Sequence, residues 1–221
     1  FDMQYVNFND YWLLNNLFNK GFCTSHNMDK SFKIKILHQL DVALNILHGS
    51  SITVGDLNQY NIFFNKKGKI LMVDVDSYQT PDSPHNGVLL DDIRDWTTTR
   101  IDDKTDIWAY DILAFWATTY CHPFKWMVPG NTETLEMRVK ASKSILSKIA
   151  GIKIPPLYEP PIGEVLKQFS EIFTGRRYMV DFKGTHVAAP VFVKQQLVSN
   201  TLNIRELYTG VTAINTVDEY V

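Results

Sequence analysis

Between Lys30 and His48 the apolar residues Phe32, Ile36, Leu40, Leu44 and Leu47 recur at intervals of three and four, the period of one helical face. The spacing predicts an amphipathic helix whose stripe is core. Further on, the short apolar runs Asn61-Ile-Phe-Phe and Lys69-Ile-Leu-Met-Val-Asp bracket the polar turn Asn65-Lys-Lys-Gly68, which predicts two strands closed into a hairpin. From Lys104 to Phe124 the chain is apolar nearly all round, as suits a helix buried at the centre of a domain. Interrupted by Asp111, with roughly fifteen apolar-rich residues, it is too short for a membrane span. Glu133 to Ile149 reads as another helix, followed by the loop Ile154-Pro-Pro-Leu-Tyr-Glu-Pro-Pro161 and a helix from Gly163 to Phe173.

Residues 186–221 change character. Pro190-Val-Phe-Val, Leu202-Asn-Ile-Arg-Glu-Leu-Tyr and Val211-Thr-Ala-Ile-Asn-Thr-Val are β-rich, with Thr209-Gly210 as a turn, and read as the start of a β-sheet domain. The fold class expected is α+β: mainly α-helical with one short hairpin, then the β-rich segment. No internal repeat or low-complexity tract is present.

Composition narrows the classes. Of 221 residues 45% are hydrophobic and 13% aromatic, enough apolar material for a core. A net charge of −2 gives no electrostatic footprint for nucleic acid, and Lys66-Lys67 is a turn rather than a patch. Cys23 and Cys121 are too few and too far apart for a disulfide framework, which fits a reducing compartment; with no signal peptide, lipidation motif or membrane run in view, the expectation is a cytoplasmic protein. The chain opens at Phe1 without an initiator methionine, and Thr216-Val-Asp-Glu-Tyr-Val221 stops mid-pattern, so the reading is an internal fragment of a longer polypeptide.

The chemistry concentrates in residues 53–78. Thr53-Val-Gly-Asp-Leu-Asn-Gln-Tyr-Asn61 carries Asp56, Asn58 and Asn61, and the second strand of the expected hairpin runs into Asp74-Val-Asp76. The hairpin would bring Asn61 and Asp74 to adjacent strand ends. A carboxylate and an amide oxygen together suit a hard cation such as Mg²⁺, and Asp56 is left to orient a hydroxyl and accept its proton.

Val54-Gly-Asp-Leu-Asn-Gln-Tyr-Asn61 resembles the protein-kinase catalytic loop H-R-D-L-x-x-x-N, and Asp74-Val-Asp76 stands where D-F-G is expected. The segment 104–124 is similar to the kinase helix D-x-W-S-x-G-x-x-L that ends near P-F. The resemblance covers about residues 1–180 and implies a kinase-like C-terminal lobe over 9–185. Within it Asp56 and Asn58 take the catalytic positions, and Asn61, Asp74 and Asp76 face metal. Met3, Gln4, Val6 and Phe63 lie on the cofactor side, the strand 1–8 forming the hinge. It further implies ATP and Mg²⁺ as cofactors and a protein or small-molecule hydroxyl as substrate. An N-terminal lobe would come from the same polypeptide. Asp106 matches the family's buried aspartate, which binds the catalytic-loop backbone, and Arg176 or Arg177 falls where an arginine pairs with a buried acid. His122, beside Pro123, reads as a capping or packed histidine.

The departures are specific. Val54 replaces histidine and Val75 phenylalanine, both at apolar stacking sites. Asn58 stands where protein kinases place a lysine, and an amide cannot supply that charge. Asp76 replaces a glycine. No A-P-E follows; Leu90-Asp-Asp-Ile-Arg-Asp95 occupies the region and offers no obvious peptide-docking platform. The Gly55-Asp56 pair resembles the H-G-D of aminoglycoside and choline phosphotransferases. The longer strings V-G-D-L-N-x-x-N and D-V-D-S look most like bacterial kinase-like proteins, often joined to helix-hairpin-helix or other accessory domains. Three functions follow: ATP- and Mg²⁺-dependent phosphotransfer by the intact protein, a non-enzymatic pseudokinase module, or metal-dependent hydrolysis by Asp56, Asp74 and Asp76.

Overall fold

A computed structural model describes residues 8–84, 88–175 and 177–182. Met3, Gln4, Val6, Arg176 and the β-rich segment 186–221 lie outside the described residues. Among the described residues the fold is mixed α+β, with five α-helices and one small antiparallel sheet.

The predicted amphipathic helix spans Lys30–Gly49 (α2), preceded by the short α1, Lys20–Ser25. Asp29 caps α2, its carboxylate accepting the Phe32 amide at 2.8 Å. The expected stripe is buried at Ile36, Leu40, Leu44 and Leu47. It packs against α3, Asp103–Thr119, which is buried nearly all round, as its composition predicts. α3 begins at a capping box: the Asp102 carboxylate accepts the Lys104 and Thr105 amides, and the Thr105 hydroxyl accepts the Asp102 amide. It ends at Thr119 rather than near Phe124, because Tyr120 is left-handed at φ 58° and turns the chain away. The buried Lys33 ammonium closes that end, donating to the Ala117 carbonyl at 2.6 Å over the Tyr120 ring. Burial holds the Lys33 pKa down at about 8.

The expected hairpin forms β2, Ile62–Asn65, and β3, Ile70–Met72, with Ile62 opposite Met72 and Phe64 opposite Ile70. Gly68 completes its turn at φ +80°, a left-handed conformation that favours glycine; a Cβ there would meet only the flexible end of the Lys35 side chain, which can move aside. A third strand, β1 at Tyr11–Leu13, pairs with β2 and gives the order β1-β2-β3. Three residues are too few for a period-2 pattern to be visible in the sequence.

The helix expected over 133–149 is only one and a half turns long, α4 at Leu135–Lys140. Ser142 takes φ 54° and Lys143 donates back to the Arg138 carbonyl, ending the helix. The chain is then held by tertiary contacts: Trp126 donates its indole N–H to the Lys143 carbonyl, and Arg138 donates to the carbonyls of Phe124 and Trp126. The next helix is α5, Gly163–Ile172. Phe169 and Phe173 stack with centroids 5.6 Å apart and meet Phe115 of α3 edge-on at 5.1 and 5.2 Å. Fully burying each such ring contributes roughly 1.5–3 kcal/mol. Among the described residues no helix is long and apolar enough to cross a membrane.

Candidate functional site

The loop between α2 and β2 is fastened from below before it presents any side chain. Thr53 pairs with Gln79 through two backbone bonds of 2.9 and 2.8 Å, and Val54 and Leu57 are buried. Gly55 turns the chain at φ 79°, where a side chain would be strained. Two amides freed by this turn, Val54 and Gly55, donate to the two oxygens of Asp106 at 2.7 and 2.8 Å. His48 Nε2 donates to the same carboxylate at 2.9 Å. Asp106 is 0% exposed, so these three donors replace the water it loses. A residue on α3 thus sets the shape of a loop more than fifty positions earlier, as the resemblance leads one to expect. The spacing gave no indication of His48.

Above that anchor sits Asp56. Its Oδ2 accepts the Asn58 Nδ2 at 2.7 Å and its Oδ1 the Leu90 amide at 3.1 Å. The other end of Asn58 accepts the Tyr60 amide at 2.8 Å. Asn58 is buried with both ends engaged, one holding the Asp56 carboxylate and the other the Tyr60 amide.

Asn61 and Asp74 flank the hairpin. Val73 donates to the Asn61 carbonyl at 2.9 Å, carrying the β2–β3 ladder one step beyond the strands and holding the two residues side by side. Asp74 is left-handed, φ 62° and ψ 39°, and its carbonyl accepts the Ser77 hydroxyl at 2.9 Å at the start of the 3₁₀ turn Val75–Ser77. For a residue with a Cβ that conformation costs on the order of 1 kcal/mol, and such strain gathers at functional sites. Among the described residues neither the Asn61 amide nor the Asp74 carboxylate is engaged in a side-chain hydrogen bond.

Asp56, Asn58, Asn61 and Asp74 line one open cleft of about 470 Å³, together with Tyr60 and residues 88–91. Two of the expected residues do not reach it. Asp76 is exposed within the 3₁₀ turn and is not among the residues that line the cleft. Phe63 is half-buried in β2 between Leu13 and Leu71, on the sheet face opposite Ile62 and Phe64, and does not line the cleft either. The Asn61 and Asp74 oxygens fit a hard divalent cation. Among the described residues no three His, Cys, Asp or Glu gather round one point, so such an ion would complete its shell with water or phosphate oxygens.

The segment that carries no A-P-E supplies a buried acid all the same. Asp95 accepts the Arg177 Nε and Nη2 at 2.9 and 2.7 Å, and the guanidinium lies over the Trp108 ring at 4.3 Å. Arg177 was anticipated as half of such a pair; Asp95 was not, since nothing in its local sequence separates it from Asp91 and Asp92. His122 is packed, as read. Its Nδ1 accepts the Phe124 amide, so Nε2 carries the proton donated to the Asp92 carbonyl at 2.8 Å, and burial pushes its pKa down to about 4. Comparison with known proteins returns no matching family model and no matching curated protein.

Proposed function

We propose that this chain forms the helical lobe of a kinase-like phosphotransferase that moves a phosphoryl group from ATP to a hydroxyl. The single observation that carries the proposal is the convergence of Asp56, Asn61 and Asp74 on one cleft, over a loop braced by Asp106. When bound, Mg²⁺ would neutralise charge on the phosphates of ATP. Asn61 and Asp74 would hold that ion with an amide oxygen and a carboxylate. Asn58 fixes the Asp56 carboxylate, which orients the acceptor hydroxyl and takes its proton as the new phosphorus–oxygen bond forms. The second lobe, with its cation over the phosphates, comes in this reading from the same polypeptide. The two buried free thiols fit a reducing compartment such as the cytoplasm.

One observation favours a pseudokinase module instead. Both Asp56 oxygens are already bonded, and the cleft's described lining includes Asp56, Asp74 and Asp91 but no lysine or arginine. Calorimetry with ATP and Mg²⁺ on the intact polypeptide, with a phosphate-transfer assay, decides between them. Mg²⁺-dependent binding with transfer supports the enzyme; neither binding nor transfer supports the module.

A further inference from the structure

A second cavity, of about 230 Å³, adjoins the cleft and shares Val88 and Leu89 with it as a common wall. The two have opposite character. The cleft is acidic, whereas the polar lining of the second cavity includes Arg94, Arg100 and Thr99. Its one carboxylate among the described lining residues, Asp95, is already neutralised by Arg177. The Arg94 guanidinium lies 4.3 Å over the Trp96 ring and has no carboxylate partner among the described residues. Arg100 is largely exposed, and its nearest carboxylate, Asp102, stands off at 4.0 Å. Two guanidinium groups beside one cavity, neither held in a close ion pair, present donors to an anion with several oxygens, since each can donate two parallel N–H bonds.

We propose that this cavity binds a phosphate group carried by the acceptor, so that the acceptor's hydroxyl extends past Val88 and Leu89 to Asp56. The proposal rests on the phosphotransfer reading and names its substrate class: a small phosphomonoester bearing a free hydroxyl. Arg94 and Arg100 hold the phosphate already present. At the other end the hydroxyl proton passes to Asp56 as the acceptor oxygen bonds to the γ-phosphorus of ATP, and the bond from that phosphorus to ADP breaks. The small volume of the cavity favours a compact ester over a phosphorylated protein segment.

Indole fluorescence reads the site because Trp96 touches Arg94, and Trp96→Phe identifies its share among the five tryptophans. Inorganic phosphate and glycerol phosphate, titrated into the intact polypeptide at fixed ionic strength, are expected to give a saturable change. Arg94→Gln and Arg100→Gln should each raise Kd about tenfold, the size of one lost charge-assisted hydrogen bond. Lys148→Gln, an equal charge change at an exposed site, should leave Kd unaltered. Absence of saturable binding, or equal weakening by Lys148→Gln, overturns the site. Binding of a phosphoserine peptide but not of glycerol phosphate overturns the small-acceptor assignment. The same samples are titrated with ATP and Mg²⁺. ATP binding without arginine-dependent phosphate binding removes this proposal and leaves phosphotransfer standing; phosphate binding without ATP binding removes the acceptor role and the phosphotransfer reading together.

Discussion

Asn58 donates its side-chain amide to Asp56 across 2.7 Å, two residues away on the same loop. An amide brings no positive charge to a transferred phosphoryl group, but it can fix the rotamer of a base. In the proposed phosphotransfer, Asn58→Ala is therefore expected to lower kcat about tenfold or more with little change in the binding of ATP and Mg²⁺. Steady-state kinetics beside calorimetry checks this, and a loss confined to nucleotide affinity would contradict the positioning role.

The two aspartates of the cleft should separate by function. In the proposed phosphotransfer, Asp74→Asn removes the carboxylate assigned to the ion and should weaken Mg²⁺-dependent nucleotide binding. Asp56→Asn should spare binding and depress turnover, because it removes the group assigned to accept the hydroxyl proton. Identical phenotypes for the two variants would show that the cleft does not divide the work in this way.

Asp106 gathers three donors at a site closed to water. Asp106→Ala leaves the Val54 and Gly55 amides unpaired and should cost on the order of 1–3 kcal/mol. Urea denaturation measures it; an unchanged midpoint would mean that the loop is held by its other contacts.

The Arg177–Asp95 pair is nearly dry, with side chains 13% and 4% exposed. Asp95→Ala strands a buried cation and should destabilise by roughly 3–5 kcal/mol, whereas Asp95→Leu combined with Arg177→Met should recover much of the loss. A double-mutant cycle gives the coupling. Near-additive effects would assign the stability to Trp108 packing instead.

His122 makes stability depend on pH in a defined window. Its folded pKa of about 4 lies below the ordinary 6.5, so the unfolded chain takes up a proton that the native state refuses. The stability held above pH 6.5 is lost progressively as pH falls from there toward 4, by roughly 3 kcal/mol for this group alone. The neighbours that bear on it are Lys125 and Asp92. His122→Gln should flatten that part of the profile in denaturation series from pH 7.5 to 4; a profile unchanged by the substitution would place the acid sensitivity elsewhere.

Local regularities were legible where one physical signal dominated. The apolar stripe of α2, the all-round apolarity of α3 and the hairpin's polar turn each follow from periodicity and turn chemistry that no neighbour overrides. The spacing from Asp56 to Asn61 and across the hairpin to Asp74 likewise brought three oxygen-bearing residues to one place, because a two-strand ladder fixes its ends once its register is set. Helix ends were less legible. α3 and α4 stop early because Tyr120 and Ser142 adopt left-handed conformations that tertiary contacts hold, from Lys33 in one case and from Arg138 and Trp126 in the other. The partners of buried charges were decided only by the fold. His48 reaches Asp106 across 58 positions and Arg177 reaches Asp95 across 82, and sequence spacing carries no signal for pairs that far apart. Asp76 and Phe63 fell away from the cleft for the same reason: a motif specifies which residues are present, while the pleat of β2 and the turn after Asp74 determine where each side chain points.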